Sequence, residues 1–284
     1  VSISDLQYGI LSVAIVSRPF LALKSSHHHM NKITRAGIIV LAFFPLSCNS
    51  EGKIPGNISF VFPPSGYAHD HRQQLTQECL DGIKHDLPII DMHEFTVAFT
   101  IQFVESRQEM KKYTGNPASG ITILEPEKIV YLLANEKEKG APIDHELMHM
   151  ITLAEWGNPD RTSLWMNEGL AAFSQNNCNG YNDEQIYRYF AASRMLLPMD
   201  SLTNHFYQEP EMIAYHQSAY LVQYLLKHYG VEKFRNLWQQ GFNNFQPIYR
   251  VTFSEVVKDI DMTAKRDYPT APGIDWKKFS VGCY

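Results

Sequence analysis

Residues 143–150 read Ile-Asp-His-Glu-Leu-Met-His-Met, with two histidines four positions apart and a glutamate directly after the first. On an α-helix, positions four apart lie one above the other on the same face. His145 and His149 can therefore offer two imidazole nitrogens to one ion, while Glu146 stands beside them within reach of a water. The pattern demands a helix whose one face is packed and whose other face lines a cleft. The chain has 12 histidines in 284 residues, so a chance match is conceivable and the surrounding sequence has to carry the reading.

The surroundings supply both helix ends and a third donor. Pro142 suits a first helical position and Gly157-Asn158-Pro159 is a stop signal, so a helix is expected over 142–156. A catalytic zinc takes three protein ligands and keeps one position open. A second helix is expected to begin in Leu164-Trp165-Met166-Asn167-Glu168-Gly169, and Glu168 is the best placed third ligand. The same glutamate would also suit a simple cap at the start of its helix. Glu155 lies too far along the first helix to reach the ion.

Upstream, residues 58–62, 95–104, 120–124 and 128–133 are rich in β-branched and aromatic types and are expected as strands. Residues 71–86 and 106–113 are expected as helices, the first ending at Pro88. Downstream, helices are expected over 181–196, 212–229 and 231–240. Thr252-Phe253-Ser254-Glu255 is a capping box for a last helix to about 262. Trp165 and Trp238 are expected in the core. His69, His71, His85 and His93 lack an i,i+4 partner and are expected as surface or core histidines rather than ligands.

His145-Glu146-x-x-His149, followed nineteen positions later by Glu168 inside Trp165-Met166-Asn167-Glu168-Gly169, resembles the gluzincin metallopeptidases. The spacing is that of their aminopeptidase branch and of the smaller peptidase MA-like domains. Residues 214–225 resemble the segment in which that branch places a transition-state tyrosine. Aligned on Tyr224-Leu225 and Gly230, the matching residue is Tyr215. The resemblance spans roughly residues 55–265. It implies an α+β, zincin-like fold, in which a small mixed β-sheet packs on the active-site helix and a helical lobe follows. It further implies one Zn2+ held by His145, His149 and Glu168, Glu146 as general base, and Tyr215 as oxyanion donor; apart from the resemblance, His205 is an alternative donor.

Two departures from the aminopeptidase pattern bear on specificity. The strand at 128–133 lacks the Gly-x-Met-Glu-Asn segment that grips a substrate's free amine. Gln175 stands seven places after Glu168, where a glutamate commonly supports a histidine ligand; a neutral amide can still orient an imidazole. A zinc-dependent endopeptidase acting on peptides or proteins is therefore expected, with residues 128–133 pairing to an extended substrate. The alternatives are an aminopeptidase with atypical amine recognition and a catalytically degenerate zinc-binding scaffold domain. The scaffold has no use for the general base Glu146.

A net charge of -5 gives no basic excess, so no nucleic-acid partner is expected. Residues 30–48 run from a basic start (Lys32, Arg35) through an apolar stretch at 36–44 to Leu46-Ser47-Cys48. This is the order of an export signal, and its ending resembles that of a bacterial lipoprotein, with Pro45 where an aliphatic residue is usual. Acylation at Cys48 and a membrane-anchored, extracytoplasmic protein are expected, with ordinary secretory cleavage as the alternative. Residues 1–29 are expected to be a non-native leader upstream of Met30. Residues 49–66 are expected as a linker with the first strand, and 266–284, containing Pro269, Pro272 and Gly273, as an extended surface tail. One disulfide among Cys79, Cys178 and Cys283 is possible and its pairing is open. Substrate identity and oligomeric state are likewise open.

Overall fold

The computed structural model describes residues 58–137 and 141–283. The expected leader and export signal lie outside the described residues. The chain forms β1 (Ile58–Val61), α1 (Tyr67–Asp70), α2 (Arg72–Ile89), β2 (Phe99–Val104), α3 (Arg107–Thr114), β3 (Gly120–Ile123) and β4 (Ile129–Leu133). It then turns wholly helical: α4 (Ile143–Trp156), α5 (Leu164–Gln175), α6 (Asp183–Ser193), α7 (Met199–Asn204), α8 (Glu211–Tyr229), α9 (Val231–Gln240), α10 (Phe245–Tyr249), α11 (Phe253–Asp267) and α12 (Trp276–Phe279). The class is α+β, a small mixed sheet followed by a helical lobe, as the sequence implied.

The sheet order is β1-β2-β4-β3, with β1, β2 and β4 parallel and β3 antiparallel to β4. Strand alternation sends side chains to two faces. Ile101, Phe103, Val130 and Leu132 face the main core, which α2 and α4 cover with Leu75, Ile83, Leu147 and Ile151. Tyr131 and Leu133 join Val104 and Met110 of α3 in a smaller cluster. Strand β4 is thus paired on both edges. The expected pairing of residues 128–133 with substrate is therefore corrected: the free edge beside the metal helix is β3, which β4 itself positions.

Local signals account for several helix ends. Ser106 Oγ accepts from the Glu109 backbone and caps α3, and Asn182 with Gln185 forms a capping box on α6. The expected box of Thr252 and Glu255 opens α11. In the lobe, α5 and α8 cross with little space between them. A Cβ built on Gly169 would lie 2.7 Å from the Ser218 backbone, so only glycine permits this approach. Trp156, the last residue of α4, packs edge to face on Phe234 and on Trp238 of α9, and the Trp238 indole donates to the Gly157 carbonyl at 3.0 Å. Trp165 and Trp238 are fully buried, as expected.

Other expectations need correction. Helix α2 runs through Pro88 to Ile89, because a proline in the last turn forfeits only one hydrogen bond and its φ is already helical. The second strand begins at Phe99 rather than residue 95, since its partners Ile58 and Ile129 start opposite Phe99 and Thr100. Helix α7 was not anticipated. The tail is not simply extended over the surface: α11 reaches Asp267, α12 buries Phe279, and Cys283 is disulfide-bonded to Cys178. Cys79 is a buried free thiol. Among the described residues no helix is long and apolar enough to cross a membrane.

Candidate active site

Helix α4 lies under β3 and β4 and against α5. Its i,i+4 spacing brings His145 Nε2 and His149 Nε2 to 3.1 Å of each other. The neighbouring helix, α5, projects Glu168 Oε2 to 3.5 Å from His145 Nε2 and 3.3 Å from His149 Nε2. The three expected ligands therefore form one nearly equilateral triangle. A tetrahedral centre with bonds of about 2.0–2.1 Å has donor–donor edges of about 3.3–3.4 Å, so the donor set fits a single metal ion. Glu168 is 3% exposed and His149 7%. His145 is the more open of the two histidines.

The electrostatics suit a cation. Burial pushes the Glu168 carboxyl up, but the two imidazoles outweigh it and hold the group well below the usual carboxylate range. Burial pushes the His149 imidazole down, yet Glu168 and Glu146 raise it to about 9. An ionised carboxylate facing the His149 imidazole, whose proton affinity is raised, is a site whose positive charge can come from a metal instead of protons.

Glu146 stands outside the triangle. Thr122 Oγ1 on β3 donates to Glu146 Oε2 at 2.8 Å and also approaches the Glu146 carbonyl at 2.9 Å. Burial raises the Glu146 pKa, while His145, His149 and the Thr122 hydroxyl partly oppose the rise. Gly120, also on β3, leaves room for this side chain; a Cβ there would come within 2.6 Å of Glu146 Oε1. The edge strand therefore both seats the glutamate and runs over it.

Tyr215 is at the site. Its ring stacks on His145 at 6.1 Å and 19° and packs against Phe206. Its hydroxyl is buried without a hydrogen bond of standard geometry. Burial, then the nearby Glu168 and Tyr207, raise its pKa well above the ordinary tyrosine value. An unsatisfied buried hydroxyl costs about 1–3 kcal/mol unless something completes it. His205, the alternative donor, is exposed at the end of α7.

Three residues at the site escaped the sequence reading. Asn167 Oδ1 meets His149 Nδ1 at 3.0 Å, which fixes the ring and turns Nε2 toward the triangle. That is the role expected of Gln175, which instead lies exposed at the end of α5. The Tyr207 hydroxyl donates to Glu168 Oε1 at 3.0 Å. Thr122 is the third. Adjacency to Glu168 pointed toward Asn167, but nothing local marks Thr122 or Tyr207, which arrive through tertiary packing.

A mixed sheet over a helix that presents two imidazoles to a carboxylate from the next helix, with a second glutamate held just off the donors, defines a metal-dependent peptidase class. Residues 115–250 match the family model of the Peptidase MA superfamily. The matched stretch contains β3, β4 and every site residue described above. No curated protein matches the chain.

Proposed function

We propose that the protein is a zinc-dependent endopeptidase, with His145, His149 and Glu168 as ligands, Glu146 as general base and Tyr215 as oxyanion donor. Two imidazoles and one carboxylate from the protein are a catalytic-zinc donor set, which leaves the fourth position of a tetrahedral ion for water. When bound, the ion supplies Lewis-acid chemistry, making water a stronger acid and polarising a carbonyl. The observation that carries the reading is Glu146. It is buried, raised in pKa and anchored by Thr122 at Oε2, leaving Oε1 to take a proton from the attacking water and return it to the leaving amine.

The remaining roles follow from position. The extended peptide adds to the free edge of β3, whose outward N–H and C=O groups bind its backbone and lay the scissile bond over Glu146. The unsatisfied Tyr215 hydroxyl donates to the carbonyl oxygen as charge develops there. Neither β3 nor β4 carries a carboxylate, which favours internal cleavage over capture of a free N-terminus. A second reading, aminopeptidase activity, has one observation behind it. Glu211, in the first turn of α8, lies within electrostatic reach of His145 and Glu168 and can meet a substrate ammonium.

The test is digestion of an unbiased peptide library by Glu146→Gln and parent protein, with metal content measured in both. The variant should keep its metal and lose about 10²–10⁴ in rate; full activity, or loss of metal, refutes the assignment. Free and N-terminally blocked peptides, compared in Glu211→Gln, separate endo- from exopeptidase action.

A further inference from the structure

A second donor cluster is assembled where the C-terminal tail returns to the lobe, apart from His145, His149 and Glu168. Cys178, in the loop after α5, and Cys283, at the end of the tail, are joined as a disulfide. His216 of α8 directs Nε2 to Cys283 Sγ at 3.5 Å, and its Nδ1 lies 2.9 Å from Asp183 Oδ1. Asp183 is fully buried, its Oδ2 has no partner, and His216 is 7% exposed. The sulfurs of Cys178 and Cys283 and a His216 ring nitrogen all lie within 4.8 Å of one another.

A structural disulfide has no need of this pair. Burying a carboxylate with an imidazole carries a desolvation penalty, and the arrangement is mismatched as long as the sulfurs are bonded. When Asp183 accepts the Nδ1 proton, Nε2 of a neutral ring presents a lone pair. A disulfide sulfur has no hydrogen to give it. Two thiolates and an imidazole are, however, the donors of borderline-soft ions. A carboxylate on the far ring nitrogen is also the support that metal-bound histidines usually have.

We propose that reduction of the Cys178–Cys283 bond opens a second metal site, in which Cys178, Cys283 and His216 bind a divalent ion of the zinc type and Asp183 orients the imidazole. The electrons come from two equivalents of a low-molecular-weight thiol. The first, as thiolate, attacks the exposed Cys283 sulfur; the S–S electron pair leaves on Cys178, which takes up a proton. The second displaces the mixed disulfide, giving two cysteine thiols and one oxidised reagent disulfide. Ion binding then releases the two thiol protons to solvent. The tail moves little, since Asn179 holds the Gly282 carbonyl at 3.0 Å and Phe279 packs on the His216 ring.

The proposal is independent of the peptidase assignment and is tested on the full chain. Oxidised protein and protein reduced anaerobically with a phosphine are titrated with Zn2+, and with Co2+ to read thiolate-to-metal absorption. One equivalent is expected in the oxidised form and two in the reduced form, the second with the thiolate band. Cys178→Ser and His216→Ala should lose the second equivalent and its band while keeping the first. His145→Ala should do the reverse, so failure at one site is distinguishable from failure at the other. A single equivalent after reduction, a second equivalent that survives Cys178→Ser, or loss of the fold on reduction each overturns the proposal.

Discussion

Replacing Thr122 with valine isolates the seat of Glu146, the proposed general base. The side chain keeps its β-branched shape and strand preference and loses only the hydroxyl. That hydroxyl has one hydrogen and faces two acceptors, Glu146 Oε2 at 2.8 Å and the Glu146 carbonyl at 2.9 Å. A hydrogen bond to a charged group contributes about 1.5–3 kcal/mol, so an even division gives the carboxylate about 1 kcal/mol. At 1.36 kcal/mol per pKa unit, its removal raises the Glu146 pKa by about 0.7 unit. The base works ionised, so a higher pKa costs activity on the acid side. The acid limb of kcat/KM should move up by about 0.7 pH unit, with the plateau kept or slightly raised. The assay is a pH series of kcat/KM on a fluorogenic peptide, with metal content and Tm measured alongside. An unmoved acid limb in a folded, metal-loaded variant refutes the idea that Thr122 seats Glu146. Loss of metal would mean that Thr122 acts on the ligands instead.

Tyr215→Phe should lower kcat by about 10²–10³ with KM nearly unchanged, because the hydroxyl matters only once charge has formed; a drop confined to KM would make it a binding residue. Tyr207→Phe should instead weaken metal retention in a chelator competition, since its hydroxyl holds Glu168 Oε1. Metal affinity should tighten about tenfold per pH unit for each displaced proton below the raised His149 value of about 9, and level off above it. An affinity flat with pH would show that no ligand proton is displaced. For the export reading, we propose that Cys48→Ala abolishes acylation and releases the protein from membranes; mass spectrometry showing a mature start elsewhere would reject it.

The donor set was legible because it is local. His145 and His149 need only the helical period, and Glu168 needs only a second helix one connection away. What was missed is contact between segments distant in the chain. Asn167 was passed over for Gln175 because a motif places the supporting residue by count, whereas the carboxamide that reaches His149 is set by the angle between α4 and α5. Residues 128–133 resembled a substrate strand by composition, but their apolar richness reflects pairing on both edges. The short strand at Gly120 is the one left free. Thr122 and Tyr207 carry no periodic signal, and Cys283 found Cys178 across 105 positions of sequence. Such encounters follow from topology, which hydrophobic period does not encode.

The contact of Gly169 with the Ser218 backbone leaves the joint between α5 and α8 without slack. Side chains between helices act as shims that can change rotamer and absorb a shift; main chain against main chain cannot. Glu168 is one residue from that contact and Tyr215 three, so any slide of one helix on the other changes the span from ligand to hydroxyl in equal measure. The crossing works as a fixed gauge block for the chemistry. On the proposed reading, substrate choice would vary through the edge strand β3, which can be recut without disturbing the gauge.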